Sequence, residues 1–223
     1  MRDTFLSDEI PAMNSSRAQR KLVIFDMDGV LCHLSDDRRI EFLSEFTGRP
    51  TDVLADAIWT SGFEASSDNG DYSASEYLME FGERVDRPLS REEWMQYRKS
   101  GMSPNFDTLA IARNLATHHQ VSVLTNNGWM LKEMIDYLFP ELREIFENRI
   151  FVSAEFRRSK PDPEIYKALC KQLSFEVEDS IFIDDRIENV VGAQRAGLTG
   201  IHFKSADILQ KELEEAIEGL NLT

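Results

Sequence analysis

Two aspartates one residue apart, Asp26 and Asp28, close the apolar run Leu22-Val23-Ile24-Phe25 and are followed by Gly29. On an extended backbone alternate residues share a side, so both carboxylates face one point and Met27 faces away. Two carboxylates at one point suit a divalent cation, which holds them together. Gly29 lets the chain turn away in a conformation that a Cβ would resist. Three later stretches also carry chemistry-bearing residues. They are Thr125-Asn126-Asn127-Gly128, the run Arg157-Arg158-Ser159-Lys160-Pro161-Asp162-Pro163, and Asp184-Asp185 with Asn189 beyond. Each alone reads as a turn, a helix start or a solvated loop.

The elements around them change that reading. Lys21–Phe25 has the branched and aromatic content of a strand apolar on both faces, which belongs to a parallel sheet covered by helices. Val121–Leu124, Arg149–Val152, Ser180–Ile183 and Gly200–Phe203 read as further strands. Helices are expected over Thr108–Ala116, Met130–Leu138, Pro163–Leu173, Glu188–Ala196 (closed by Gly197) and Ala206–Ile217. Strands alternating with helices call for right-handed crossovers and an open, doubly wound parallel α/β sheet. Ligands bind such sheets beyond the carboxyl ends of the strands. Asp26, Asp28, Thr125, Asn126, Lys160, Asp184 and Asp185 all fall at that edge.

Residues 35–102 have another texture. Ile40, Leu43, Phe46, Val53, Leu54, Ile58, then Tyr77, Leu78, Phe81, then Trp94, Met95 and Arg98 recur at helical spacing, with no convincing strand. Ser73–Glu76 and Ser90–Glu93 are capping-box patterns, and Ser66–Asp71 reads as a loop. About four helices are expected here, inserted after the first strand. Such an insertion leaves the strand end beside Asp28 and must hang over it as a lid. The expected division is a tail at 1–20, a core at 21–34 and 103–223, and a helical cap at 35–102.

The charge balance, 25 Lys+Arg against 40 Asp+Glu for a net −15, argues against nucleic acid and anionic membranes as partners. Two cysteines, Cys32 and Cys170, make no metal-ligand spacing and suit a reducing compartment, so a cytoplasmic protein is expected. No run is long enough to span a membrane, and residues 1–20 lack the apolar core of a secretory signal, reading instead as a mobile tail.

In this order, the four stretches resemble the motifs of the haloacid dehalogenase superfamily, in its phosphatase branch with a small helical cap. The resemblance covers residues 21–31 and about 105–205, and Phe139–Phe146 through Ser159–Tyr166 also looks like the sugar-phosphatase and glucose-phosphate-phosphatase-like members. It implies a Mg²⁺-dependent phosphomonoesterase working through an aspartyl-phosphate. Asp26 would be the nucleophile and Asp28 the acid and base. Thr125, Asn126, Met27 and Lys160 would hold the phosphate, with Lys160 also serving catalysis. Asp26, Asp28 (through its backbone carbonyl), Asp185 and Asp184 would hold the metal. The family pattern, an acid four positions before a polar residue, makes Asp185 with Asn189 the first choice of direct ligand and Asp184 the second, through water. A carboxylate near pKa ~3.9 is ionised at neutral pH and attacks without a base. Asp28 must start protonated, and its clustered acidic neighbours are expected to raise its pKa. Four carboxylates against one lysine would repel a phosphate dianion unless Mg²⁺ bridged them.

Asp28 with the acidic pair disfavours a dehalogenating relative. A phosphomutase on the same fold and a non-catalytic phosphate-binding protein are the alternatives. The expected substrate is a small phosphorylated metabolite, probed through Trp59, Phe63 and Tyr72 if these face it rather than forming the core of the cap. His33, His118, His119, Arg157, Arg158 and Trp129 are weaker candidates for contact. Either a monomer or a homodimer fits.

Overall fold

The computed structural model describes residues 20–220. The tail expected over residues 1–20 lies, apart from Arg20, outside the described residues. Five strands form one parallel sheet: β1 (Leu22–Phe25), β4 (Gln120–Thr125), β5 (Ile150–Val152), β6 (Ser180–Asp184) and β7 (Thr199–His202). Their order is β5-β4-β1-β6-β7, so β1 is central, with β4 and β6 on either side of it. The chain leaves β1 in both directions in turn, which opens a crevice beyond its C-terminal end.

The two faces of the sheet build two cores. Val23 and Phe25 join one with α6 (Phe106–Leu115), α7 (Trp129–Leu138), α8 (Pro140–Phe146) and α11 (Ala206–Leu220). Leu22 and Ile24 join the other with α9 (Pro163–Leu173) and α10 (Ile187–Ala196). This is why β1 is apolar throughout rather than alternating. The doubly wound parallel α/β class expected from the sequence is the one observed.

Between β1 and β4 lies the helical segment: α1 (Asp36–Thr47), α2 (Thr51–Ala55) running into a π turn at Asp56–Thr60, α3 (Phe63–Asp68), α4 (Ala74–Arg84) and α5 (Arg91–Ser100). Both capping boxes form, Ser73 with Glu76 and Ser90 with Glu93. Phe63, expected either to face substrate or to pack, packs: it is 2% exposed and stacks on Tyr77 at 5.0 Å.

Two expectations are corrected. The segment enters and leaves through an antiparallel ribbon, β2 (Cys32–Leu34) with β3 (Met102–Pro104), where no strand was expected. Three residues per strand are too few to show a period. The supposed loop at Ser66–Asp71 begins inside α3, because Ser66 and Ser67 continue its turns. Pro140 starts α8, where a missing N–H costs nothing.

Candidate active site

β1 and β6 end level with each other, and Asp26 N–H donates to the Ile183 carbonyl at 2.8 Å. That register sets Asp26 beside Asp184, both almost wholly buried. Lys160 reaches between them, its Nζ 2.8 Å from Asp26 Oδ1 and 2.7 Å from Asp184 Oδ2. Lys160 is held by its backbone. The Asn126 side chain donates to the Lys160 carbonyl at 2.9 Å and accepts from its N–H at 2.9 Å. Gly192 of α10 fixes the same segment, since a Cβ there would stand 2.3 Å from the Pro161 carbonyl oxygen.

Asp184 is saturated. Oδ1 accepts from Arg186 N–H at 2.8 Å, Oδ2 from Lys160, and the Asn189 amide lies 3.1 and 3.0 Å from the two. Asn189 thus serves Asp184, because in the first turn of α10 it points back to the strand end. Asp185 is exposed and hydrogen-bonded through its carbonyl to His202. Its carboxylate fills the space over Gly29: φ is +84° there, and a Cβ would lie 2.3 Å from Asp185 Oδ2. Asp26, Asp184 and Asp185 each offer an oxygen within 4.8 Å of the others.

Burial and the neighbouring Asp184 raise two of these acids. Burial pushes Asp26 well above the usual carboxylate range, and Asp184 adds to this against the pull of Lys160. Asp185 is raised by partial burial and then by Asp184. Lys160 would be lowered by burial, but Asp26 and Asp184 hold it above its ordinary value. Three acids against one ammonium leave room for further positive charge. The hard oxygens suit a divalent cation of the Mg²⁺ type.

Asp28 behaves otherwise than expected. Burial alone would raise it, but the Arg98 guanidinium, and then the Asn127 amide, hold it below the usual carboxylate range. Arg98 Nη2 donates to Asp28 Oδ2 at 2.6 Å and Asn127 Nδ2 donates to the same oxygen at 3.2 Å. Asn127 also donates to Thr125 Oγ1 at 2.8 Å. The clustered-carboxylate argument failed because it counted acids and missed a cation arriving from α5. In the sequence Arg98 is only a residue on a helical period. Met27 is fully buried, and its N–H is taken by Asp26 Oδ1 at 2.7 Å.

A cavity of about 380 Å³ opens over these groups. From the sheet edge it is lined by Asp26, Asp28, Thr125, Asn126, Lys160, Asp185, Arg186 and Asn189, and from the other side by Leu34, Asp36 and Asp68. Leu34 is its one side chain of plainly apolar kind. Asp68 was read from the sequence only as a loop residue. His33, Arg157, Arg158 and Trp129 do not line it, and neither do Trp59, Phe63 or Tyr72. His118 and His119 lie beside β4, where His119 Nδ1 accepts from Lys21 N–H at 3.3 Å.

A parallel sheet carrying paired acids and a buried lysine at its carboxyl edge, beneath inserted helices, defines a doubly wound α/β protein with an acidic site at its switch point. The chain belongs to the haloacid dehalogenase-like hydrolase family, whose model matches residues 20–197. A solved structure of a HAD family enzyme from Bacteroides thetaiotaomicron, in complex with magnesium and inorganic phosphate, superposes with a TM-score of 0.71 at 23% identity, covering 83% of this chain and 95% of that one. The D-ribitol-5-phosphate phosphatase of the same organism is 21% identical over 76% of this chain and 85% of its own. The sesquiterpene phosphatase of Aspergillus oryzae is 35% identical over 35% of this chain and 43% of its own, so the chain spans less than half of that relative. Among the described residues no helix is long and apolar enough to cross a membrane.

Proposed function

We propose that this chain is a Mg²⁺-dependent phosphomonoesterase acting on a small hydrophilic phosphate ester, a sugar or polyol phosphate, through an aspartyl-phosphate. The observation that carries the reading is Lys160 held between Asp26 and Asp184 at the floor of a polar cavity. Asp26 would attack phosphorus while the ester P–O bond breaks and Asp28 delivers a proton to the leaving oxygen, for which substrate binding would first have to draw Asp28 away from Arg98, the contact that favours its ionised form. Water would then attack the same phosphorus, losing a proton to Asp28 and freeing Asp26. The Thr125 hydroxyl, the remaining Asn126 amide hydrogen and the Lys160 ammonium are the donors available to the phosphoryl oxygens.

Asp26, Asp185 and the Asp28 backbone carbonyl would hold the metal. Asp184, whose oxygens are already filled, would act through water. When bound, Mg²⁺ would supply the positive charge that keeps Asp26 ionised and receives a phosphate dianion. In this reading 21–34 and 103–223 are the core and 35–102 a helical cap that would cover the cavity from above, the side from which Asp36 and Asp68 line it.

The lining favours a hydrophilic leaving group over an isoprenoid, and the match to a ribitol-phosphate phosphatase along most of its length agrees. The test is phosphate release from sugar, polyol, nucleotide and prenyl phosphates, with Mg²⁺ and with EDTA, for the parent and Asp26→Asn. Metal-dependent release, highest on polyol or sugar esters and lost in Asp26→Asn, is the expected result. Release that survives Asp26→Asn would remove the nucleophile from the scheme. Isomerised sugar phosphate without net release would mean a mutase.

A further inference from the structure

Among the described residues, five acids line the cavity and only two cations, Lys160 and Arg186. Lys160 is largely committed, since two of its three ammonium hydrogens go to Asp26 and Asp184. Arg186 is not. It is exposed, and among the described residues its guanidinium enters no ion pair or hydrogen bond. It does pull on the adjoining Asp185, but less than Lys160 does.

Local structure gives no reason for an arginine here. Arg186 is the residue before α10, in extended conformation, and its side chain makes no capping bond. Arginine is not among the residues that cap a helix, and a cation there meets the positive end of the helix dipole. Its backbone, however, is pinned on both sides. The N–H donates to Asp184 Oδ1 at 2.8 Å, and the carbonyl accepts from Asn189 N–H at 3.0 Å and Val190 N–H at 3.3 Å. A local rule broken with no structural gain marks a functional position. Here a fork of five donors is rooted in fixed backbone at the edge of a cavity and left without a partner. That is a receptor for anionic oxygens.

The surroundings make such a receptor useful. The chain carries a net charge of −15, and the opposite side of the cavity presents Asp36 and Asp68. A dianion approaching this opening is repelled unless a cation near the mouth offsets the acids. We propose that Arg186 is a substrate-binding residue whose guanidinium takes oxygens of the phosphate dianion as it enters the cavity. The inference rests on reading the cavity as a phosphate-ester site, but not on turnover.

The test measures inorganic phosphate binding to the Mg²⁺-loaded full chain by calorimetry, and kinetics on 4-nitrophenyl phosphate and a sugar phosphate. The parent is compared with Arg186→Gln, Arg186→Lys and Arg186→Glu. A lost hydrogen bond between charged groups should raise the phosphate Kd about tenfold in Arg186→Gln, and further in Arg186→Glu. Arg186→Lys, which keeps the charge and loses the fork, should recover part of the affinity. Added NaCl should weaken phosphate binding more steeply in the parent than in Arg186→Gln. On both esters KM should rise far more than kcat falls, because the contact is made in the ground state and the transition state alike. Where inorganic phosphate binds too weakly for calorimetry, the KM ratios decide. Parent-like phosphate affinity and KM in Arg186→Gln would make Arg186 a solvated side chain and overturn the proposal. A fall in kcat with KM unchanged would overturn it as well. Arg186-dependent phosphate binding in a parent that hydrolyses no ester would leave this inference standing and overturn the phosphatase reading. A parent that neither binds phosphate nor hydrolyses any ester would overturn both.

Discussion

Lys160 Nζ stands 2.8 Å from Asp26 and 2.7 Å from Asp184, one ammonium closing two carboxylates delivered by neighbouring strands. All three side chains are nearly inaccessible, so each charge depends on the others. Removing one partner of a buried ionic cluster costs about 3–5 kcal/mol, because the groups left behind are buried and uncompensated. Lys160→Met should therefore lose phosphate release and lower the unfolding free energy, measured by urea melts in EDTA, by an amount of that order. Mg²⁺ should restore part of the lost stability, since it replaces the missing positive charge. Undiminished stability in EDTA would show that water enters the site and screens the acids.

Metal binding should be visible without turnover. A ligand that binds only the folded chain adds about 2.7 kcal/mol at a hundred times its Kd. Thermal unfolding should shift upward with Mg²⁺ and return with EDTA. Asp185→Asn should remove most of the shift and leave the metal-free midpoint equal or higher, because Asp185 is raised by burial and by Asp184 in the folded protein. A full Mg²⁺ shift in Asp185→Asn would move the direct ligand to Asp184.

Gly29 answers two demands at once. Its φ of +84° suits glycine, and the space a Cβ would take is filled by the Asp185 carboxylate at 2.3 Å. Gly29→Ala should cost on the order of 1–2 kcal/mol for the backbone conformation. Its larger effect should be on Mg²⁺ affinity, because the methyl group displaces the Asp185 carboxylate proposed to hold the metal. Calorimetric titration of Mg²⁺ checks this. Equal affinity in the variant would mean that Asp185 moves aside freely.

The residues that proved legible share one property: their positions follow from local pattern and strand order. Asp26, Thr125 and Asp184 each end or follow a strand apolar enough to be recognised, and a parallel sheet brings such ends to one edge. Pro163–Leu173 was legible to the residue because proline and Asp162 mark its start. Arg98 was not, because a charged residue on a helix period looks the same whether it meets solvent or a carboxylate seventy residues away. The error over Asp28 follows from that one gap. The contact of Asn189 with Asp184 was not legible for a different reason. A spacing inherited from a family states which residues matter, whereas the helix entry angle decides which oxygen the amide reaches.

Asp68 offers a prediction in which stability and recognition pull apart. It lines the cavity from α3, opposite the strand ends. Burial pushes its carboxyl well above the usual range, Glu64 adds to this, and Arg98 only partly opposes it. A folded value above the unfolded one means that the acid favours the folded chain when protonated. That contribution is whole below about pH 4, the unfolded value, and is lost as pH rises toward the folded one. Asp68→Asn has no proton to lose there. Its stability relative to the parent should therefore rise as pH climbs from the ordinary carboxylate range toward neutrality, measured by urea unfolding at several pH values in EDTA. An acid kept at such a cost inside a substrate cavity is expected to accept hydrogen bonds from the leaving group's hydroxyls. Asp68→Asn should then raise KM for polyol and sugar phosphates while leaving KM for 4-nitrophenyl phosphate nearly unchanged. A stability difference that does not vary with pH would show that Asp68 is hydrated in the folded protein, and equal KM changes on both esters would separate it from recognition.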